Sequence, residues 1–256
     1  MQEVSIAMII DGKKISENIL SEIRKEIEKK QLKLKLAAVL VGDDYASRIY
    51  VRKKQEACEK VGIAFELFNF PKDITQEMLK EEVRKIAEDL NVSGIIVQLP
   101  IPKGINADEV MKAIPDRKNV EKISPVVCAV QRILDDYDIS LENKTIVLVG
   151  RGKLVGGPLS DWLDKKGEKF FGIERIKDAD VVISGVGKPK LITKDMVKDG
   201  VVVIDVGFSH DKDKKAVGDV DFKEVAEKAS LITPVPGGVG PITVACLLRN
   251  LLQRMK

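Results

Sequence analysis

Residues 145–163, TIVLVGRGKLVGGPLSDWL, have the order of a buried strand, a glycine-rich turn and a helix. Gly150 and Gly152 lie in the turn. Gly156 and Gly157 stand where the helix begins and allow tight packing of helix on strand. Because the first N–H groups of a helix have no intrahelical partner and carry a partial positive charge, this segment is suited to binding phosphate. An ordinary strand–helix turn, with glycines used for packing alone, is the alternative.

Apolar runs of strand length alternate with helical patterns along the rest of the chain, which predicts an α/β fold. Several runs are continuous rather than alternating, as expected for parallel strands covered on both faces. The predicted strands are Lys35–Val41, Ile63–Phe70, Gly94–Leu99, Thr145–Gly150, Val181–Ser184 and Val201–Val206. The predicted helices are Ser16–Lys30, Asp44–Val61, Thr75–Asp89, Val155–Lys166, Phe222–Lys228 and Pro241–Met255.

A polar stretch followed by a helix-like one, in residues 115–138, indicates a boundary between two α/β lobes. We expect residues 1–120, together with a C-terminal helix in 241–256 that packs back, to form the first lobe. We expect residues 125–235 to form the second, Rossmann-like lobe.

The composition argues against several classes of partner. Lys and Arg number 43 and Asp and Glu 40, and only 4% of residues are aromatic, so neither nucleic acid nor a membrane surface is expected as a partner. With one histidine, His210, and three cysteines in no C-x-x-C pair, we expect no metal site, no His-based triad and three free thiols. No signal peptide is recognisable, and a cytoplasmic location is expected.

The predicted helix Asp44–Val61 carries Ser47, Tyr50 and Lys54 at i, i+3 and i+7, which places them on one face. Tyr50 offers a flat surface and a hydroxyl group, and Lys54 can transfer protons if burial lowers its pKa. An exposed lysine beside a half-buried tyrosine is the alternative.

Gln98 ends the apolar strand SGIIVQLPIPKG, where ligands of parallel sheets bind. Its amide can orient a ligand with both a donor and an acceptor. The alternative is that it only ties down the Pro100–Pro102 loop.

Together these segments resemble the bifunctional methylenetetrahydrofolate dehydrogenase/cyclohydrolase family, often called FolD. The similar segments are YVRKKQEACEKVGI, GIIVQLPIPKGIN, VLVGRGKLVGGPLSDWL, GVGKP with VVVIDVGFS, and TPVPGGVGPIT. They occur in one collinear order across both expected lobes.

The resemblance implies roles for individual residues. Lys54 would be the catalytic lysine, Tyr50 would stack on the folate with Ser47 nearby, and Gln98 would support lysine and folate. Glu121 stands where an aspartate would bind the pterin. The turn Pro236, Gly237 and Gly238 would form one wall of the folate site. The residues implied at the cofactor are Gly150, Arg151, Gly152, Val155, Gly156 and Phe208.

The implied activity interconverts 5,10-methylene-, 5,10-methenyl- and 10-formyltetrahydrofolate by hydride transfer and by hydrolytic ring opening. The implied cofactor is NADP, with NAD as the alternative. It belongs to one-carbon metabolism and purine biosynthesis, and a homodimer through the cofactor lobe is expected. Two alternatives stay open: a cyclohydrolase with weak or lost dehydrogenase activity, and a non-catalytic folate- or nucleotide-binding module.

The chain also departs from the family pattern. Glu121, Lys122 and Ile123 replace Asp-Gly-Phe, and about twenty connecting residues after them are missing. Gly152 replaces a serine, and residues 167–180 leave room for no more than a stub of the second cofactor-side strand. Two residues in this stretch favour different cofactors: Arg175 would favour the extra phosphate of NADP, whereas Glu174 would favour the free ribose hydroxyl of NAD.

Overall fold

The computed structural model describes residues 7–213 and 215–254 and has an α/β architecture, as predicted. Its contact pattern divides the chain into two compact units. The first unit comprises the residues up to Ser16 and Ser124–Thr243, and therefore contains the lobe expected second in the sequence, the Rossmann-like one. The second unit comprises Glu17–Ile123 and the residues from Val244 onward, and contains most of the lobe expected first.

The first unit is built on a six-stranded sheet in which every neighbouring pair of strands is parallel. The strand order is β1-β11-β8-β7-β5-β6. In chain order the strands are β1 (Met8–Ile9), β5 (Ile146–Val149), β6 (Phe170–Phe171), β7 (Val181–Ser184), β8 (Val202–Asp205) and β11 (Leu231–Ile232). Strands β5 and β7 are buried along their whole length, which explains their continuous apolar sequences.

Short helices and one hairpin complete the first unit. The helices are α5 (Pro125–Asp136), α6 (Gly156–Lys166), α7 (Phe222–Val225) and two 3-10 helices, Ile173–Asp178 and Lys194–Met196. The hairpin consists of β9 (Ser209–His210) and β10 (Ala216–Val217). Helix α5 begins in the way its sequence predicts, because Ser124 caps it and Pro125 occupies the first turn.

The second unit has a three-stranded parallel sheet in the order β3-β2-β4. Its strands are β2 (Lys35–Val41), β3 (Ala64–Phe70) and β4 (Gly94–Val97), and its own helices are α2 (Tyr45–Val61), α3 (Gln76–Glu88) and α4 (Ala107–Met111). A parallel bridge between Ile95 and Asn119 extends the sheet beyond β4. One hydrophobic core lies between α3 and this sheet, with Leu79, Val83 and Ile95 fully buried.

Helices α1 (Gly12–Lys30) and α8 (Val239–Gln253) carry the chain from one unit to the other. Within the second unit, the Asn250 amide donates to the carbonyl groups of Val120 (3.0 Å) and Ile123 (2.7 Å). A Cβ on Gly94 would lie 2.6 Å from Leu251. The C-terminal helix therefore packs back on the lobe predicted for it.

The second cofactor-side strand is present as the stub β6, which agrees with the sequence-based expectation, and residues 172–180 connect it to β7 through a 3-10 helix. Two structural details differ from the sequence-based expectation. The N-terminal segment groups with the first unit, because β1 pairs with β11. Cys58 is a buried free thiol, but Cys128 and Cys246 are not free thiols, so the expectation of three free thiols is wrong.

Candidate active site

Lys54 and Gln98 are joined by a hydrogen bond in the second unit. Helix α2 follows the central strand β2 and carries Lys54, while Gln98 follows the neighbouring strand β4. The Lys54 Nζ donates to Gln98 Oε1 at 3.0 Å. Because α2 begins beyond the carboxyl end of β2, both side chains reach the edge where parallel sheets bind ligands.

The orientation of the Gln98 amide is set by the local backbone. Its Nε2 donates to the Leu99 carbonyl at 2.7 Å, and its backbone N–H donates to the Val39 carbonyl at 2.8 Å. The side chain is only 8% exposed. With the amide nitrogen engaged in this way, the amide oxygen faces Lys54. Gln98 therefore ties down its own loop and also contacts the lysine, while a role in orienting a ligand stays a prediction.

Glu121 lies at the same edge of the sheet. The Ile95 N–H donates to the Lys118 carbonyl at 2.7 Å, which aligns residues 118–120 beside β4. The Glu121 N–H then donates to Asn119 Oδ1 at 3.1 Å. Glu121 therefore comes shortly after the bridged residue Asn119, as Gln98 comes directly after β4. The two polar residues thus follow neighbouring, parallel segments of the sheet.

The pKa values of Lys54 and Glu121 are shifted in opposite directions. Burial lowers the pKa of Lys54, opposed by the negative charge of Glu121 and, less strongly, by Cys58. Burial raises the pKa of Glu121, opposed by the positive charge of Lys54. Lowering the pKa of a lysine brings the pH at which it accepts and releases protons closer to neutral.

The other predicted residues of α2 are placed differently. Ser47 is buried, and both its N–H and its hydroxyl donate to Asp44 Oδ2 at 2.8 Å, so it forms part of the helix cap. Tyr50 is half-buried, and burial raises the pKa of its phenol to about 12. The Lys53 ammonium lies 5.6 Å from the centre of the Tyr50 ring. Tyr50 thus presents a protonated hydroxyl and a partly accessible ring.

In the first unit, the turn after β5 has the shape of a phosphate-binding loop. Gly150 has φ +99°, a conformation that favours glycine. A Cβ on Gly156 would lie 2.1 Å from the Gly150 carbonyl oxygen, so α6 begins in direct contact with the turn. Gly152 is exposed, with open space where a Cβ would lie, and its carbonyl accepts from the Gly157 N–H at 2.9 Å. A phosphate group can therefore approach bare backbone at the N-terminus of α6.

Two arginines stack on the aromatic residues of the stub β6. The Arg151 guanidinium lies 5.3 Å from the centre of the Phe170 ring, and that of Arg175 lies 4.7 Å from the centre of the Phe171 ring. The Glu174 carboxylate accepts from the Gly172 N–H at 2.9 Å. This end of the sheet therefore carries two stacked cations, while its nearby carboxylate is engaged with its own loop.

The remaining predicted residues lie in loops of the first unit. Val155 packs against Gly185, since a Cβ on Gly185 would lie 2.2 Å from Val155 Cγ1. The rings of Phe208 and His210 are in edge-to-face contact, with their centres 5.3 Å apart. In the turn before α8, Pro236 is exposed and Gly237 has φ +107°. Gly238 of that turn is buried and packs on the backbone of residue 12. This turn uses one glycine for conformation and one for packing.

Two aspartates of the same unit, Asp205 and Asp219, are buried, and their burial was not predicted from the sequence. Asp205 accepts from the N–H groups of Gly207 (2.8 Å), Asp219 (3.2 Å) and Val220 (2.9 Å). Burial raises the pKa of Asp205 to about 7, opposed by these donors and assisted by the charge of Asp219. The only available signal was an aspartate at the end of an apolar strand, which by itself does not distinguish a buried side chain from an exposed one.

Family models match both parts of the chain. The tetrahydrofolate dehydrogenase/cyclohydrolase catalytic domain matches residues 10–121, and the NAD(P)-binding domain of the same family matches residues 124–256. The chain belongs to this family. The resemblance predicted from the motifs is confirmed.

Similar proteins cover nearly the whole chain. Bifunctional protein FolD of Nautilia profundicola is 42% identical over 280 aligned positions, covering 97% of each chain, and that of Staphylococcus aureus is 39% identical, covering 98% and 97%. The first alignment is longer than this 256-residue chain, so the relative has residues that this chain lacks.

Solved structures of FolD enzymes have the same fold. The bifunctional FolD enzyme of Campylobacter jejuni superposes with a TM-score of 0.90 at 35% identity, covering 97% and 98% of the two chains. The Trypanosoma brucei enzyme, solved with NADP cofactor and inhibitor, superposes with a TM-score of 0.91 at 29% identity, covering 97% of each chain.

Two further findings concern residues 7–213 and 215–254. No helix in those residues combines the length and apolar character needed to cross a membrane. Within the same residues, His, Cys, Asp and Glu side chains form no group of three or more that could hold a metal ion.

Proposed function

We propose that this protein interconverts 5,10-methylene-, 5,10-methenyl- and 10-formyltetrahydrofolate, with NADP in the oxidation and water in the ring opening. The observation that carries the proposal is the hydrogen bond of Lys54 to Gln98, in an environment that also contains Glu121. A binding module does not require a lysine whose pKa is lowered by burial, whereas proton transfer does. This argues against the non-catalytic alternative.

In the first reaction, the one-carbon bridge of methylenetetrahydrofolate loses a hydride and becomes the methenyl cation. NADP, when bound, supplies the acceptor of that hydride. The chain's own contribution is to bind and orient. The Gly150 turn and the N-terminus of α6 would hold the cofactor phosphates. As the family resemblance implies, Arg151 would assist at the phosphates and Phe208 would line the cofactor site.

In the second reaction, water adds to the methenyl carbon and a carbon–nitrogen bond of the ring opens. Lys54 in its uncharged form accepts a proton from the attacking water, and its ammonium form returns a proton to the ring nitrogen that leaves. One proton is released overall. Gln98 holds the lysine amine in place, and Glu121 modulates its charge while binding the pterin. Tyr50 stacks on the folate ring system, with Ser47 supporting the start of α2.

Two assays test the proposal. Methylenetetrahydrofolate with NADP should produce reduced cofactor, followed by its absorbance, and methenyltetrahydrofolate should be consumed in a separate assay without cofactor. We expect activity in both. Absence of both activities in folded protein would contradict the proposal, and replacing NADP by NAD in the first assay measures cofactor preference.

One observation favours a second candidate, a cyclohydrolase with weak dehydrogenase activity. The strand β6 is only two residues long, and a 3-10 helix replaces a full crossover after it. This part of a dinucleotide-binding fold usually recognises the ribose. Turnover of methenyltetrahydrofolate without reduction of NADP or NAD would support this alternative.

We also propose a homodimer formed by the first unit, a cytoplasmic location and no binding of nucleic acid. The support for the dimer is the family resemblance, and the near balance of charges supports the absence of nucleic acid. Light scattering of the purified protein should give twice the mass of the 28.3 kDa chain. The monomer mass would contradict the dimer.

A further inference from the structure

Asp219 is a fully buried carboxylate that receives hydrogen bonds from one loop and one strand end. It is 0% exposed. Its Oδ2 accepts from the Ser184 hydroxyl at 2.8 Å and from the Val186 N–H at 2.6 Å. Its Oδ1 accepts from the Lys188 N–H at 2.8 Å. The side chain therefore determines the path of residues 184–188, from the last residue of β7 into the loop after it.

Asp219 and Asp205 are packed in a reciprocal arrangement. A Cβ on Gly207 would lie 2.2 Å from the Asp219 carboxyl carbon, and a Cβ on Gly218 would lie 2.0 Å from Asp205 Oδ2. Each aspartate side chain thus occupies the space left by a glycine in the segment of the other aspartate: Asp219 lies against Gly207, and Asp205 lies against Gly218. The triplets Asp-Val-Gly at 205–207 and Gly-Asp-Val at 218–220 form one interlocked core between the loops.

The loop held by Asp219 touches the phosphate-binding turn. At Gly150, a Cβ would lie 2.9 Å from the Gly185 carbonyl oxygen and 3.0 Å from Val186 Cγ2. Strands β5, β7 and β8 are adjacent in the sheet, so the segments after them lie at one edge. Dinucleotides bind at that edge of open parallel sheets. The position of Val186 against Gly150 therefore shapes the proposed cofactor site.

We propose that Asp219 is a positioning residue for the dinucleotide: it holds residues 184–188 in place against the Gly150 turn without touching the cofactor itself. The inference rests on the proposed function for the identity of the cofactor. Ser184 assists by donating to the same carboxylate oxygen that fixes Val186.

The test is the binding of NADP to the Asp219→Asn variant, measured by titration calorimetry. In any orientation, an amide leaves at least one of the donors from Val186 and Lys188 without an acceptor. We expect the Kd for NADP to increase about tenfold, because one backbone donor of the loop loses its acceptor and the loop is held less firmly against the Gly150 turn. The KM for NADP should rise in parallel, while hydrolysis of methenyltetrahydrofolate stays within about twofold of wild type.

A second variant and a control make the result specific. Ser184→Ala keeps both backbone donors on Asp219 and should give the same pattern with a smaller increase in Kd. If Asp219→Asn does not fold, the Kd of Ser184→Ala for NADP tests the positioning role instead. Asp199→Asn removes one negative charge from an exposed turn before β8 and should leave the Kd unchanged.

The outcomes separate this inference from the proposed function. An unchanged Kd in a folded Asp219→Asn variant, or an equal loss of both activities, would overturn the positioning role. An unchanged Kd in Ser184→Ala would overturn it if Asp219→Asn is unfolded. If wild type binds NADP but reduces none, the proposed dehydrogenase function fails while the Kd comparison still tests Asp219. If wild type does not bind NADP, the inference is overturned.

Discussion

Lys54 and Glu121 lie in one partly buried environment, and burial shifts their pKa values toward each other. The pKa of Lys54 is lowered and that of Glu121 is raised, and each charge opposes the shift of the other. The charge state of each group therefore affects the pKa of the other. Changes to the charge beside Lys54 should therefore change the pH at which the lysine becomes uncharged.

Replacement of the lysine tests its role in proton transfer. Lys54→Met keeps the length of the side chain but removes the amine, so hydrolysis of methenyltetrahydrofolate should fall by about 10²–10⁴-fold. The far-ultraviolet circular dichroism spectrum should not change. Lys60→Met, an exposed lysine in the last turn of the same helix, is the matched control and should retain full activity. Wild-type turnover in Lys54→Met would exclude the lysine from the mechanism.

Glu121→Gln tests the electrostatic coupling. The negative charge of Glu121 raises the pKa of Lys54, so its removal should lower that pKa further. Activity that requires the uncharged amine would then begin to rise at a lower pH than in wild type. The measurement is kcat for methenyltetrahydrofolate hydrolysis against pH. Glu88→Gln, at the exposed end of α3, should leave the profile in place, and a profile unmoved in Glu121→Gln would show that the coupling is absent.

Gln98→Glu should shift the same profile in the opposite direction. The Gln98 oxygen already accepts from Lys54 at 3.0 Å, so a carboxylate there would stabilise the ammonium form and raise the lysine pKa. We expect the rise in kcat to move to higher pH, with a lower rate at neutral pH. A shift to lower pH, or none, would mean that Gln98 does not act through the lysine.

The first turn of α6 offers a matched pair of glycine variants. Gly156→Ala would place a Cβ 2.1 Å from the Gly150 carbonyl oxygen, which is a clash. Gly157→Ala would place a Cβ 3.6 Å from the Gly152 carbonyl oxygen, which is an ordinary van der Waals contact. The first change should distort the phosphate-binding turn and weaken NADP binding by more than about tenfold, and the second should not. Calorimetry measures both, and hydrolysis of methenyltetrahydrofolate should persist in both. Equal affinities for NADP would exclude this turn from the binding site.

The stability of the first unit should depend on the ionisation of Asp205. Because the pKa of Asp205 is raised from 3.8 to about 7 by folding, its contribution to stability is greatest below pH 3.8 and is lost as pH rises toward 7. Asp205→Asn removes this dependence. The variant should therefore be more destabilised, relative to wild type, at pH 5 than at pH 8, by up to about 3 kcal/mol. Urea unfolding at both pH values measures this difference, and a constant difference would show that Asp205 is ionised throughout.

Long buried elements were predictable from the sequence, whereas short ones were not. The run Lys35–Val41 is β2 to the residue, because the six apolar residues in a row after Lys35 have few alternatives in an α/β chain. Strands β1 and β11 have two residues each, and so short a segment shows no periodicity. Their existence depends on pairing with each other across most of the chain, which local patterns do not report.

The same distinction applies to the candidate sites. The Gly150 turn was predictable from residues close together in sequence, since strand, glycines and helix are contiguous. The contact of Lys54 with Gln98 joins residues 44 positions apart and was anticipated only through the family resemblance. Asp205 and Asp219 were missed because acidic residues are usually exposed. Their burial is stable only because glycines and backbone N–H groups from distant segments meet there.

The reciprocal packing of Asp205 with Gly218, and of Asp219 with Gly207, has a consequence for how this protein can diverge. A larger residue at either glycine collides with the opposite carboxylate, and a smaller one at either aspartate leaves orphaned donors. Single substitutions at these four positions should be depleted in a mutational library selected for NADP reduction. Tolerated variants should arise in combinations, so this part of the protein would evolve by epistatic steps instead of gradual drift.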